Sequence, residues 1–598
     1  MSTIKLQQFL KKIDELTGSM EQKKLQAFIH EVARTLPEEK RNSFLEVLTE
    51  CAGASKGDDK HSILDDDGQE QITKEIESVI AELDAINDGE KCLDSEYNEE
   101  WDDWYNSDVD EILFYDPKKL LITVSRAVGL VHICIDRDLN DEGCQLSGAL
   151  CYVEVQAEGD YRDYSGSALD LNELYEHDLL PGRIEDCLLE CLYLTYMGNN
   201  LEARAEELYF LFERFRYCDL RLENLLQMGD HDLPEFDSFL PLWIDHLGRQ
   251  QGECAKRLIS EAQSMVEDDF ALLENARKYV DRHPELYLQL LDMKSGDAED
   301  EKMLAIGQEA MDAIPVELVI RSAVALKTAE YADRLCRFDV RERCWIEAFR
   351  SDTSVVNYMR IKFLPWNAAQ YGDEVRAIID ERYDTLKKSR TRNGYYDTLT
   401  EKCNEIDVNS YCVMMFFECD FDAMEKAGMS TKKPLGWTST FMKEGIALIL
   451  LMMYKKPLSD IQPGMRRMLG WARRNACYFS CEALYKGTDE KWDKTDDEKF
   501  IELFEKWKVT VDLPEALEDK WMQKIDKWIQ KRTAGIMEAN RRNYYGECAG
   551  FIAAFGEMKE SLGDVGARNR LMLKYRKEYS RRSAFHRELK GFGMKDER

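Results

Sequence analysis

The chain has 598 residues, 44% of them hydrophobic and 33% charged, and its formal net charge is −35 at pH 7. This composition supplies enough apolar residues for a large core, and the acidic surface argues against a protein that coats nucleic acid, because it repels phosphate backbones. Only 12 residues are proline, below the usual ~5%, and helix-length apolar periodicity continues almost from end to end. The sequence therefore predicts an all-α fold.

The sequence also predicts where the protein resides. Its N-terminal segment is polar throughout and does not resemble a signal peptide. The longest apolar run is Ile446–Tyr454, far shorter than the ~20 residues that a membrane-spanning helix needs. None of the 17 cysteines forms a CxxC pair, so we expect reduced thiols packed in the core. These features predict a soluble, cytoplasmic protein without membrane association.

The first predicted domain, residues 1–51, is a short N-terminal helical head. Apolar residues recur there at helical spacing in three short stretches, which predicts three amphipathic helices. Pro37 stands where a helix can begin, and the two glutamates after it favour the positive end of the helix dipole.

The second predicted domain, residues 52–115, is an acidic linker with one helix. Between Asp58 and Glu111 the chain has 21 acidic residues and three lysines. Its part Asp94–Glu111 combines carboxylates with aromatic residues, among them Trp101, Trp104 and Tyr105. One interpretation is a segment that inserts its aromatic side chains into a basic partner surface, ordering as it binds. The other is an irregular acidic loop whose tryptophans pack against the first repeat of the same chain.

The third predicted domain, residues 116–385, alternates helices with short breaks near glycines, as an α-solenoid does. Tyr193–Leu211 has Gly198 at a turn, and Gln308–Pro315 and Ala329–Asp352 place alanines where paired helices would cross. These stretches resemble a degenerate tetratricopeptide array. The resemblance implies a superhelix of helix pairs that holds another protein.

Two details depart from the tetratricopeptide pattern. Arg341 stands where a small residue is expected, and Ala310 and Ala348 are separated by 38 residues instead of the 34 of the repeat. Strand-like alternation is scarce, and Leu150–Val155 is the one stretch that could form a strand.

Residues 386–512 are predicted to continue the repeats, and residues 513–598 to form a C-terminal helical region with a basic tail. An apolar stripe supports the second assignment and comprises Trp521, Ile525, Trp528 and Ile529. The tail Tyr575–Met594 resembles the ending of bacterial helical-repeat proteins that carry a SWIM-type zinc finger. The finger's own Cys-x-Cys and Cys-x-His pairs do not occur in this sequence, so the resemblance implies a bacterial source but no metal site.

Two basic features stand out against the acidic whole. Four arginines are paired seven residues apart and predict one basic helix face: Arg466, Arg467, Arg473 and Arg474. Such a face, with Gly470 between the pairs, could bind an acidic peptide or a phosphate, or it could be solvated or salt-bridged within the protein. From Gly563 onward 11 Lys and Arg accompany five Asp and Glu. This tail could bind nucleic acid, but the charge asymmetry favours docking on the acidic N-terminal region of the same chain or of a second copy.

No motif in the sequence predicts catalysis. The EF-hand-like positions Asp136, Asp138 and Asn140 lack the glycine and the final glutamate of a calcium loop. No histidine has a metal-ligand spacing, and no phosphate loop, dinucleotide fingerprint or nucleophile elbow occurs. We therefore predict a non-enzymatic interaction or scaffold protein, without cofactor or metal, whose partner is another protein. The alternatives are a nucleic-acid-associated protein that uses the arginines and the basic tail, and an enzyme whose active site combines distant residues.

Overall fold

The computed structural model describes residues 66–98, 112–161, 168–229, 232–293, 299–389, 404–429 and 441–595. The predicted helical head lies outside these residues. Within them 26 α-helices account for most of the chain, which confirms a mainly helical fold. The described chain belongs to two compact units, Met1–Leu130 with Val153–Ala168, and Val131–Tyr152 with Leu169–Arg598.

The first unit contains two helices and a small sheet. Its elements are α1 (Asp66–Asn87), β1 (Cys92–Tyr97), β2 (Ile112–Tyr115), most of α2 (Leu120–Asp136) and β3 (Glu154–Gly159), and β4 (Ala168–Asp170) begins at its last residue. The strand order is β2-β1-β3-β4, with β1 antiparallel to β2 and parallel to β3. One face of α1 is buried because its apolar residues recur at helical spacing.

Ser95 and Gly159 hold β1 and β3 together. The Ser95 hydroxyl donates to the Glu158 carbonyl at 2.6 Å and accepts a hydrogen bond from the Tyr161 backbone N–H at 3.0 Å. A Cβ at Gly159 would lie 2.1 Å from the Ser95 carbonyl oxygen, and its φ of +93° also favours glycine. A serine and a glycine therefore support this pairing beside the buried apolar residues Leu93, Val155 and Ala157.

The sheet corrects the all-α prediction. Its strands have three to six residues and carry polar sequences such as CLDSEY and EVQAEG, so their alternation is too short and too polar to be recognised. The expected strand Leu150–Val155 is also misplaced: Leu150 and Cys151 end a helix, and the strand begins at Glu154.

The second unit is helical. Its first helices are α3 (Asn140–Cys151), α4 (Leu171–Glu176), α5 (Ile184–Gly198), α6 (Leu201–Arg214), α7 (Leu222–Leu225), α8 (Phe236–Leu247), α9 (Glu253–Ser264), α10 (Asp269–Tyr279), α11 (Glu285–Met293), α12 (Asp300–Ala313), α13 (Ile320–Arg334), α14 (Phe338–Ser351), α15 (Val355–Phe363) and α16 (Gly372–Ser389). They are followed by α17 (Val408–Phe417), α18 (Phe421–Gly428), α19 (Met442–Met453), α20 (Pro463–Trp471), α21 (Cys481–Tyr485), α22 (Asp496–Lys508), α23 (Glu515–Glu538), α24 (Tyr545–Ser561), α25 (Ala567–Glu578) and α26 (Ser583–Gly591).

Helix packing changes along the second unit. From α8 to α15, most helices pack against the next helix in the chain, and α9, α11 and α13 also pack against one another in turn. Small residues allow these approaches: Ala310, Ala329 and Ala348 are fully buried. Farther along, α24 packs against α20, α25 and α26, so distant segments meet there. None of the helices in the described ranges is long and apolar enough to cross a membrane.

Candidate functional site

The aromatic residues predicted to contact a partner, Trp101, Trp104 and Tyr105, lie outside the described residues. The start of their acidic segment, Asp94–Tyr97, belongs to strand β1 and pairs with Ile112–Tyr115. The two interpretations of the remaining segment both stay predictions.

The four predicted arginines lie on α20 and on the π-helical turn Ala472–Ala476 that continues it. Arg466 and Arg474 are exposed, whereas Arg467 and Arg473 are half-buried. The guanidinium of Arg474 lies against Gly470, where an added Cβ would be 2.8 Å from its Nη2. Gly470 is therefore approached by a side chain of the same helix.

The two half-buried arginines have partners within the second unit. Arg467 donates to the Gly546 carbonyl at 2.9 Å, and its guanidinium lies 5.1 Å from the centre of the Trp471 ring. Arg473 forms ion pairs with Asp496 at 3.1 Å and with Asp497 at 2.5 Å. The arginine pairs thus divide into two exposed cations and two that connect α20 and its π turn to α22 and α24.

A different set of residues forms a pocket of about 180 Å³ beside α23. We call it the lysine–tryptophan pocket. It is lined by Met429, Met442, Ile446, Trp521, Lys524, Ile525, Lys527, Trp528 and Lys531. An apolar floor next to three lysines favours a ligand with an apolar body and negative charge.

Helix α23 supplies most of this pocket because its sequence is amphipathic. Trp521, Ile525 and Trp528 follow one another at spacings of four and three residues, which places them on one face of the helix, and all three are buried. Ile446 on α19 is also buried. The apolar wall is therefore held by packed helices, as a preformed binding site requires.

Polar groups of the pocket have unused hydrogen-bonding capacity. The indole Nε1 atoms of Trp521 and Trp528 are buried without a hydrogen-bond partner among the described residues. The side chains themselves are 1% and 8% exposed. An indole N–H can only donate, and a buried donor without a partner costs ~1–3 kcal/mol. A carbonyl or carboxylate oxygen of a ligand would relieve that cost.

The lysines at the rim differ in their partners. Lys524 pairs with Glu425 on α18, and Lys520, one turn earlier, pairs with the same carboxylate at 3.1 Å. Burial lowers the pKa of Lys524, and Asp422 partly opposes that shift. Lys527 and Lys531 are exposed, are four residues apart, and form no ion pair within the described residues. These two cations are the ones that remain for a ligand.

The buried cysteines form no comparable site. Cys344 and Cys477 are buried, as are most cysteines of the described ranges. Burial raises the pKa of the Cys344 thiol to about 12 and raises that of Cys477 as well. A thiol that stays protonated is a poor nucleophile. Among the described residues no group of three His, Cys, Asp or Glu side chains could hold a metal ion.

Comparison with known proteins yields no relative: no family model matches the chain, and no curated protein matches it. The lysine–tryptophan pocket was not predicted from the sequence. The apolar stripe of α23 was recognised as a helix, and the spacing of Lys524, Lys527 and Lys531 beside two tryptophans was the available signal. The contributions of Met429 and Ile446 come from distant positions and gave no signal.

Proposed function

We propose that this chain is a non-enzymatic interaction protein that contains a tetratricopeptide-like helical array and binds another protein through the helices that follow this array. In this proposal the lysine–tryptophan pocket receives an apolar side chain from an acidic segment of the partner. The observation that carries the proposal concerns one apolar recess. Two buried indole N–H groups there have no acceptor, and two lysines have no ion pair, within the part of the chain that the structure describes.

The size of the pocket favours an anchor side chain over a whole ligand. Its volume of about 180 Å³ is below the ~300–1,000 Å³ of typical small-molecule sites. Protein interfaces concentrate binding energy in a few aromatic or apolar anchors that fill such recesses. Trp521 and Trp528 would contact the anchor, and their N–H groups would donate to carbonyl or carboxylate oxygens beside it.

Charge determines which partner fits. The chain as a whole has a net charge of −35, so it repels acidic partners at long range. Attraction must come from local cations, and screening at physiological salt limits their effect to ~8 Å. Lys527 and Lys531 lie at the pocket and would meet carboxylates on either side of the anchor.

The proposed array accords with the packing of α8 to α15, where helices contact their neighbours in sequence. It also accords with Arg341, which occupies the position of a small residue in the repeat pattern. Arg341 stacks on Trp345 with its guanidinium carbon 4.5 Å from the ring centre and pairs with Asp333 at 2.6 Å. Because the planar guanidinium of Arg341 lies over the Trp345 ring, arginine can stand at a helix crossing where the repeat pattern has alanine.

Fluorescence anisotropy with an acidic aromatic peptide tests this proposal. The probe is a labelled peptide with the sequence of residues 98–108, and its control has serine in place of the three aromatic residues Trp101, Trp104 and Tyr105. We expect the aromatic peptide to bind the full chain at least about tenfold more tightly than the control, which corresponds to ~1.4 kcal/mol for the anchor. The double variant K527E/K531E should bind the aromatic peptide at least about tenfold more weakly than the wild type does.

The matched control is K491E/K506E, which changes the net charge equally at two exposed lysines that do not line the pocket. Its affinity should stay within about twofold of the wild type, since distant charges are screened. Equal binding of the aromatic and serine peptides, or unchanged binding to K527E/K531E, would contradict the proposed role of the pocket.

A further inference from the structure

A second recess in the helical unit has the opposite chemistry. It has a volume of about 470 Å³ and is lined by Ser260, Glu285, Leu288, Gln289 and Asp292. We call it the acceptor pocket. It contains two carboxylates and one amide and has no cationic side chain in its lining.

Helix α11 supplies four of these residues from one face. The first of them is Glu285. The others follow it by three, four and seven residues (Leu288, Gln289 and Asp292), a spacing that aligns all four along one side of the helix. Ser260 comes from α9, which packs against α11. The Gln289 Nε2 donates to the Ser260 carbonyl at 2.7 Å. This bond orients the amide and leaves its Oε1 as the free acceptor.

His283 fixes the carboxylate of Glu285. The Nε2 of His283 lies 3.2 Å from the carbonyl oxygens of Leu247 and Gln250, so it donates there. Its Nδ1 lies 3.0 Å from Oε1 of Glu285, and these two atoms share a hydrogen bond. The imidazole is 1% exposed and Glu285 is 9% exposed. Glu285 therefore has little freedom to turn its second oxygen elsewhere.

Two acceptor atoms of the pocket are left without donors. Oε2 of Glu285 and Oε1 of Gln289 are buried and have no hydrogen-bond partner among the described residues. Each such group destabilises the folded protein unless a donor reaches it, and native proteins rarely leave buried polar groups unsatisfied. Both belong to neighbouring turns of one helix, so one ligand can supply both donors.

We propose that the acceptor pocket binds the primary ammonium group of an aliphatic amine. An ammonium has three donors and no acceptor, and it would donate to Glu285 Oε2, to Gln289 Oε1 and to Asp292 at the rim. The Asp292 side chain forms an ion pair with Lys327 at 3.5 Å, but it is 60% exposed, so it has room to turn toward the ligand. Leu288 offers apolar contact to the alkyl chain. This site is independent of the lysine–tryptophan pocket, and either proposal can fail without the other.

Saturation-transfer NMR with the full chain tests this binding. The probe is butylammonium chloride, and the comparison is butyltrimethylammonium chloride, which has the same alkyl chain and charge but no N–H donor. We expect butylammonium to bind at least about tenfold more tightly, since only it satisfies the buried acceptors. A tripeptide with a central lysine and blocked termini distinguishes a free amine from a lysine side chain of a partner. Equal binding of the two ammonium ions would overturn the proposal.

Two substitutions locate the bound ammonium. E285Q places an amide where the free carboxylate oxygen stands and should weaken butylammonium binding at least about tenfold. E267Q makes the same change in charge at an exposed position on another segment and should leave the affinity within about twofold. D292N, at an exposed side chain, should weaken binding about threefold and serves as the decisive variant if E285Q does not fold. Unchanged affinity in the folded variants would overturn the assignment.

Discussion

Glu557→Ala is expected to lower the free energy of unfolding by about 3–5 kcal/mol, the cost of removing one partner from a buried charged pair. Glu557 is 2% exposed on α24 and accepts hydrogen bonds from the backbone N–H groups of Gly464 and Met465 at 3.1 and 2.7 Å. These groups belong to the first turn of α20, whose N–H donors have no partner within the helix. Arg568 lies 3.5 Å from the same carboxylate.

The start of α20 is packed closely against α24 around Glu557. A Cβ at Gly464 would lie 2.5 Å from the backbone N of Ala554, so the start of α20 rests directly on α24. Burial raises the pKa of Glu557, and the hydrogen bonds from Met465 and Gly464 partly oppose that shift. Replacement by alanine therefore leaves two helix N–H groups without their acceptor and removes the carboxylate beside Arg568, which still donates to Gln462.

Urea denaturation followed by circular dichroism measures this effect. E557Q keeps the shape and one acceptor oxygen, so its loss should be smaller than that of E557A. E578A, at an exposed glutamate on α25, should change the stability by less than about 0.5 kcal/mol. A loss below about 1 kcal/mol in E557A, similar to an ordinary surface substitution, would show that this carboxylate does not hold α20 in place.

Arg360→Met is the second substitution with a large expected effect, about 2–5 kcal/mol from the two carbonyl groups that it leaves unpaired. Arg360 is 1% exposed. Its Nε donates to the Leu484 carbonyl at 2.9 Å, and its two terminal nitrogens donate to Ala483 and to the Asn357 side chain. Methionine fills similar space but provides no donors, so the carbonyls at α21 stay buried without partners.

The pKa of Arg360 is consistent with this burial. Removal from water lowers it to about 10, and the charge of Asp352 partly opposes that shift. The guanidinium therefore stays charged at neutral pH and forms strong hydrogen bonds. Thermal and urea unfolding of R360M should both report the loss. R249M replaces an arginine whose side chain is 69% exposed and should be nearly neutral, and equal stability of the two variants would contradict the role assigned to Arg360.

The helices were predictable because each carries its own local signal. The stripe Trp521, Ile525 and Trp528 needs only the helical period to be recognised, and the buried face of α23 follows from it. The sheet was not predictable in this way. Ser95 and Gly159 hold β1 to β3 through contacts between residues 64 positions apart, and neither residue type indicates a strand.

In the candidate sites, too, the local pattern could be predicted from the sequence, whereas contacts between distant residues could not. The sequence predicted one basic helix face for Arg466, Arg467, Arg473 and Arg474. They lie on α20 and the π turn after it, but the partners of Arg467 and Arg473 come from Gly546, Asp496 and Asp497. Those partners decide which cations are exposed, and spacing alone does not reveal them. The lysine–tryptophan pocket likewise combines side chains from three separate segments.

Affinity capture from lysate of the cells that produce the protein tests whether the lysine–tryptophan pocket binds a partner protein. Full-length wild type, K527E/K531E and K491E/K506E serve as baits, and mass spectrometry identifies what co-purifies. We expect at least one protein that is retained by the wild type and by K491E/K506E and is lost with K527E/K531E. The same set of proteins on all three baits, or none on any of them, would contradict an interaction protein that uses the lysine–tryptophan pocket.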